Sequence, residues 1–166
     1  MSTHHCCPQP TWARTLHRDA RHVRGFTLVE LLTVVVVLVI FATIAVPSFS
    51  ELIASQRVQM AAMDLFTSLV RARSEAIKQN TDVTLSPTGT WDAGWAVAAG
   101  GANIDTHAAT SNVSISDPGV VTYRNSGRIA GLTQPKFSIS ATQTATKKCV
   151  KVNLTGEPVV TDGACS

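Results

Sequence analysis

The chain has 166 residues, with 14 basic and 11 acidic side chains, a formal charge of +3, and 45% hydrophobic residues. Its whole positive excess lies ahead of Phe26, where Arg14, Arg18, Arg21 and Arg24 stand against Asp19; the rest balances ten basic with ten acidic residues. The sequence pI of 8.8 therefore describes a short N-terminal segment and gives no ground for a nucleic-acid partner.

That segment is followed by an apolar run, Phe26 to Val46, which carries one charge, Glu30. As a helix the run is roughly 31 Å long, enough to cross the hydrocarbon core of a bilayer. The arginines ahead of it place the N-terminus in the cytoplasm and the C-terminal part across the membrane. A carboxylate inside such a span costs roughly 3 kcal/mol or more, so it calls for a partner. No Lys, Arg or His lies in the run to provide one. Either Glu30 snorkels to the interface, or its partner comes from elsewhere. The competing readings are an ordinary anchor with a tolerated acid near its end, and a secretory signal cut near Ala42–Ala45. A signal's apolar region covers only about 7 to 15 residues, shorter than this one.

Gly25-Phe26-Thr27-Leu28-Val29-Glu30 resembles the processing and methylation site of type IV prepilins and type II secretion pseudopilins. The resemblance implies that a prepilin peptidase cuts between Gly25 and Phe26 and methylates Phe26 as the new N-terminus. Residues 1–25 are then a cytoplasmic leader that is removed, and 26–46 the transmembrane half of an N-terminal helix. Glu30 becomes the fifth residue of the mature chain, neutralised by the N-terminal amine of a neighbouring subunit and so setting register. His4, His5, Cys6 and Cys7 fall in the leader. Adjacent cysteines lack the two-residue spacing of a zinc site, so this cluster reads as incidental composition and no metal is expected.

Pro47 removes a backbone donor and predicts a kink. Residues 47–80 then form the amphipathic half of the helix. Val58, Ala62, Leu65, Leu69, Ala72 and Ala76 recur at spacings of three and four, with Phe66 and Ile77 widening the stripe. Arg57, Asp64, Arg71 and Lys78 fall seven apart on another face. A coiled-coil dimer is the alternative, weakened by an alanine-rich seam of only three heptads.

From Thr81 the helical period gives way to short β-branched stretches: Asp82–Leu85, Gly94–Ala98, Val113–Ser116, Val120–Tyr123, Lys136–Ser140 and Cys149–Leu154. Turns are expected at Ser86-Pro87-Thr88-Gly89, Gly100-Gly101, Asp117-Pro118-Gly119, Asn125-Ser126-Gly127 and Thr155-Gly156. Gly100–Ser111, polar and rich in alanine and glycine, reads as a mobile loop. Residues 81–166 are thus a small antiparallel β domain packed on the amphipathic helix, an α+β, type IV pilin-like fold. Trp91-Asp92-Ala93-Gly94-Trp95-Ala96-Val97 and Val121-Thr122-Tyr123-Arg124-Asn125-Ser126-Gly127-Arg128 resemble the minor pilin and pseudopilin group that includes GspH, FimT and FimU. After the implied cut, Cys149 and Cys165 are the two cysteines left. In an oxidising periplasm they are expected to form a disulfide, worth roughly 3 kcal/mol by loop closure; two buried free thiols are the alternative.

The resemblance implies a non-enzymatic subunit stored in the inner membrane as a single-pass protein with a periplasmic domain, then inserted into a pilus or pseudopilus. Its implied partners are other pilin or pseudopilin subunits, the prepilin peptidase, the inner-membrane assembly platform and membrane lipid; no cofactor is expected. A minor pilin that primes or caps a type IV pilus is the first expectation, and a GspH-like pseudopilin of type II secretion the second. DNA uptake ranks lower. Some FimT-type pilins contact DNA through Gly-Arg-x-Arg, but here Asn153-Leu154-Thr155 is followed by Gly156-Glu157-Pro158-Val159. Lys147, Lys148 and Lys151 are the remaining candidates for weak DNA contact, against a reading as the solvated face of a strand. His107, in the expected loop, has no partner histidine in the mature chain, so it supports neither a metal site nor a proton relay. Trp91 and Trp95 read as core and rim of the β domain.

Overall fold

The structure, a computed structural model, describes residues 25–166 apart from the side chains of residues 44–48. The leader cluster His4, His5, Cys6 and Cys7 lies outside the described residues, whereas Pro47, where the kink is expected, is a backbone position inside the first helix whose side chain is not described. Ile40–Ser166 forms one compact unit, and the residues up to Val39 belong to another.

Helix α1 runs from Leu28 to Gln79. Thr27 caps it, its Oγ1 accepting the Glu30 backbone N–H at 3.2 Å. At the other end Asn80 takes a left-handed conformation, φ 52°, and the Thr81 N–H reaches back to the Ala76 carbonyl. That closure satisfies a terminal carbonyl and lets the chain turn away. Within Ile40–Ser166 the buried face of α1 consists of Ala54, Val58, Ala61, Ala62, Leu65, Leu69, Ala72 and Ala76. Phe66 is half-buried and Ile77 exposed, so neither widens this face as the period predicted. Ala61 and Ser68 do so instead.

Eight strands follow: β1 Val83–Thr88, β2 Thr90–Ala99, β3 Ala102–Ala108, β4 Ser114–Ile115, β5 Val121–Tyr123, β6 Lys136–Ser140, β7 Lys147–Val152 and β8 Pro158–Asp162. They make two four-stranded antiparallel sheets, ordered β3-β2-β1-β5 and β4-β6-β7-β8. Both sheets and the buried face of α1 contribute to one core. The indole of Trp91, on β2, meets the Phe137 ring of β6 edge-on at 4.7 Å, so this pair joins the two sheets.

Two strands depart from the expectation. The stretch read as a mobile loop contains β3, seven residues paired along β2. Its side chains are exposed or half-buried throughout, so it lacks the alternation that marks a strand; backbone pairing to β2 defines it. Strand β8 opens on Pro158, tolerated because a strand's first residue at a sheet edge need not donate. The expected turn at Ser86–Gly89 shrinks to Gly89, at φ 115°, because β1 continues through Pro87 across a register shift.

Arg73 of α1 clasps two turns: its Nε donates to the Gly127 carbonyl at 3.1 Å and its Nη2 to the Thr155 carbonyl at 3.3 Å. Between those turns Gly156 approaches so closely that an added Cβ would lie 1.9 Å from the Gly127 oxygen. Gly163 shares a positive φ but has nothing within 4 Å. Gly163→Ala is therefore expected to cost about 1 kcal/mol, the left-handed penalty alone. Gly156→Ala should cost about 3 kcal/mol or more, adding a backbone clash, as read from urea unfolding of both variants.

Candidate functional site

Gly25 and Phe26 precede α1 and are exposed, and Glu30 occupies its first turn, also exposed. A carboxylate there sits favourably at the positive end of the helix dipole. Phe26, Leu28, Val29, Leu31, Leu32 and the residues on to Phe41 are exposed without any polar facing set. Among the described residues no helix is long and apolar enough to cross a membrane. The expected span, Phe26–Val46, extends into residues 44–46, whose side chains are not described.

Farther along α1, at 100° per residue, a second apolar stripe lies opposite the buried face. It comprises Phe49, Leu52, Met60, Met63, Val70 and Ile77, all exposed, with uncharged Gln56, Thr67 and Ser74 between them. The spacings of three and four from Val58 to Ala76 predict one apolar face for α1. The second is visible in the same periodicity, but it separates from the first only once burial shows which residues the domain covers.

The expected site residues of the β domain are spread over one sheet. Cys149 on β7 and Cys165 after β8 form a disulfide, with Cα atoms 5.0 Å apart. Lys151 stands directly opposite Lys136 of β6, and Lys147 opposite Ser140. Lys148 is ion-paired with Asp162 of β8, and Lys136 Nζ donates to the Ser166 carbonyl. Two of these four lysines thus have partners within the chain, and the group is no dense cationic patch.

His107 is not in a loop. It lies on β3, its ring stacked on Trp95 at 4.2 Å and its Nε2 3.6 Å from Asp64 Oδ2 of α1. One step along the same strand face, Asp105 Oδ2 accepts from Arg71 Nη1 at 2.8 Å. Trp95 donates its indole N–H to Ser68 Oγ at 2.9 Å, a buried bond that ties β2 to α1. Trp91 and Trp95 are both 1% exposed, so Trp95 is core and not rim. The seven-residue spacing of Asp64 and Arg71 was legible in the sequence; their partners on β3 were hidden with the strand itself. No group of three or more metal-ligating side chains occurs among the described residues.

Residues 61–156, more than half of the chain, match the family described as type II transport protein GspH. Residues 20–46 match the prokaryotic N-terminal methylation motif, which contains Gly25, Phe26 and Glu30. Comparison with curated proteins gives no match. In fold, the chain is similar to the type IV minor pilin FimU of Pseudomonas aeruginosa in two crystal forms. One gives a TM-score of 0.58 at 19% identity, covering 67% of this chain and 96% of FimU. The other gives 0.56 at 20% identity, covering 65% and 99%.

Tyr123 of β5 is fully buried, and its hydroxyl has no hydrogen-bond partner among the described residues. Burial pushes its pKa up, opposed weakly by the nearby Arg73. A phenol whose folded pKa is raised contributes stability that is complete below its unfolded value and lost as pH rises above it. The urea midpoint is therefore expected to fall more steeply above about pH 10 in the wild type than in Tyr123→Phe. At pH 7 Tyr123→Phe should be at least as stable, because it removes an unpaired polar atom.

Proposed function

The chain belongs to the GspH family of type II transport proteins, and from that membership we propose that it is a minor pilin that primes or caps an inner-membrane-anchored type IV pilus. The observation that carries the reading is the double apolar character of α1. Within the compact unit the helix buries one stripe in its own core and leaves the other, Phe49 to Ile77, uncovered. Exposed apolar faces of this extent mark surfaces that other polypeptides or lipid will cover. Ahead of it the run from Phe26 to Val46 carries a single charge, Glu30.

In this account the leader ends at Gly25, and Phe26 becomes the methylated N-terminus. Residues 26–46 are stored as the membrane span, 47–80 carry the domain, and 81–166 lie in the periplasm as a specific contact surface. The partners are other pilin subunits, the prepilin peptidase, the inner-membrane assembly platform and lipid. During assembly Glu30 trades lipid for the N-terminal amine of a neighbour. An acid in a low-dielectric setting is stabilised by an added cation, so only subunits in the correct register are accepted. FimU, a type IV minor pilin, shares this fold and supports the pilus reading. The second reading, a pseudopilin of a type II secretion system, draws on the description of the matching family itself. Loss of surface pili or loss of protein secretion on deleting the gene separates the two. For DNA uptake through Lys147, Lys148 and Lys151, the pairing of Lys148 with Asp162 is unfavourable.

Glu30→Ala is expected to lower entry of the full chain into sheared filaments roughly tenfold or more while leaving its level in the membrane fraction unchanged. Equal entry of Glu30→Ala and wild type contradicts the proposed role.

A further inference from the structure

Helix α1 and the strand beside it are joined by a short ladder of polar side-chain contacts. Arg71 meets Asp105 at 2.8 Å, and Asp64, one rung nearer the N-terminus, lies 3.6 Å from His107. The next charged residue on that side of the helix, seven positions earlier, is Arg57. Opposite it the chain continues as Ala108, Ala109, Thr110 and Ser111, none of which is charged. Arg57 is half-buried and has neither a hydrogen bond nor an ion pair among the described residues. It lines an open cleft of about 510 Å³ together with Asp64, His107, Thr110 and Ser111. The third rung of the ladder has its cation and lacks its acid.

We propose that the cleft receives the side-chain carboxylate of an Asp or Glu from a neighbouring filament subunit, which completes the ladder by pairing with Arg57. A guanidinium matches a carboxylate with two parallel N–H donors, and the Thr110 and Ser111 hydroxyls supply further donors at the rim. One unmatched guanidinium favours a singly charged acid. A phosphate would bring more negative charge beside Asp64, which repels it. The pair forms where the domains of adjacent subunits meet, so it selects a partner by charge in addition to the register set by the helix. This inference rests on the filament reading above.

The test uses full-length wild type, Arg57→Ala and Arg57→Lys. Wild-type entry into sheared filaments tests the filament reading, and absence there overturns that reading and this inference with it. Given wild-type entry, Arg57→Ala is expected to enter about fivefold less while keeping the wild-type thermal melting temperature. Filaments carrying Arg57→Lys, treated with a carbodiimide, should yield an amide between the amine at position 57 and an Asp or Glu of a different chain, identified by peptide mass spectrometry. Undiminished entry of Arg57→Ala, or an amide formed only with Asp64 of the same chain, overturns the inference while leaving the filament reading intact.

Discussion

A helix with apolar stripes on opposite sides can satisfy only one of them within its own domain. Helix α1 is under that constraint from Phe49 to Ile77. One side carries small and branched residues, among them Ala61, Ala62, Ala72 and Ala76, which let the sheets approach closely. The other carries Met60, Met63 and Val70, which meet solvent in the isolated subunit. Hydrophobic burial scales with area removed from water, so the second stripe holds a free-energy reserve that only association releases. On the proposal made above, the stability of the subunit and its assembly draw on different faces of one element.

The rest of the domain keeps that element fixed. Trp95 hydrogen-bonds Ser68 on the helix and stacks on His107, while Trp91 crosses to Phe137 on the second sheet. Two indoles four residues apart on β2 thereby connect helix, first sheet and second sheet. Arg73 anchors the turns at Gly127 and Thr155 from the helix side, and the Cys149–Cys165 disulfide holds the chain after β8 to β7. Strand β3, with no side chain of its own fully buried, is retained by backbone pairing and by the charges Asp64 and Arg71. Surface pairs of this kind contribute little individually, and their use here is positional.

Much of this is legible in the amino-acid sequence alone. The α+β arrangement follows from a change of period at Thr81, and the buried stripe from Val58 to Ala76 follows from spacings of three and four. Gly25 to Glu30 carries the N-terminal methylation motif, and the lone acid near the start of a long apolar run is legible there as a costly arrangement that calls for a partner. What stayed hidden has physical causes. Strand β3 carries Asn103 and Asp105, residue types depleted in strands, and has no buried face, so tertiary pairing overrides composition there. Strand β8 begins with a proline, which usually argues against a strand and is permitted only at its first position on an edge. The exposed stripe of α1 was present in the sequence as hydrophobic residues, but a pattern cannot say which of two apolar faces the chain itself will cover.

The central claim, that the exposed stripe of α1 is buried by neighbouring subunits, is tested most directly by oxidative footprinting of Met60 and Met63. Full-length protein in isolated membranes and the same protein in sheared filaments would be exposed to peroxide, with sulfoxide formation followed by peptide mass spectrometry. The account predicts that both methionines oxidise readily in the membrane-stored subunit and become protected several-fold in the filament. Equal oxidation rates in the two states would contradict it.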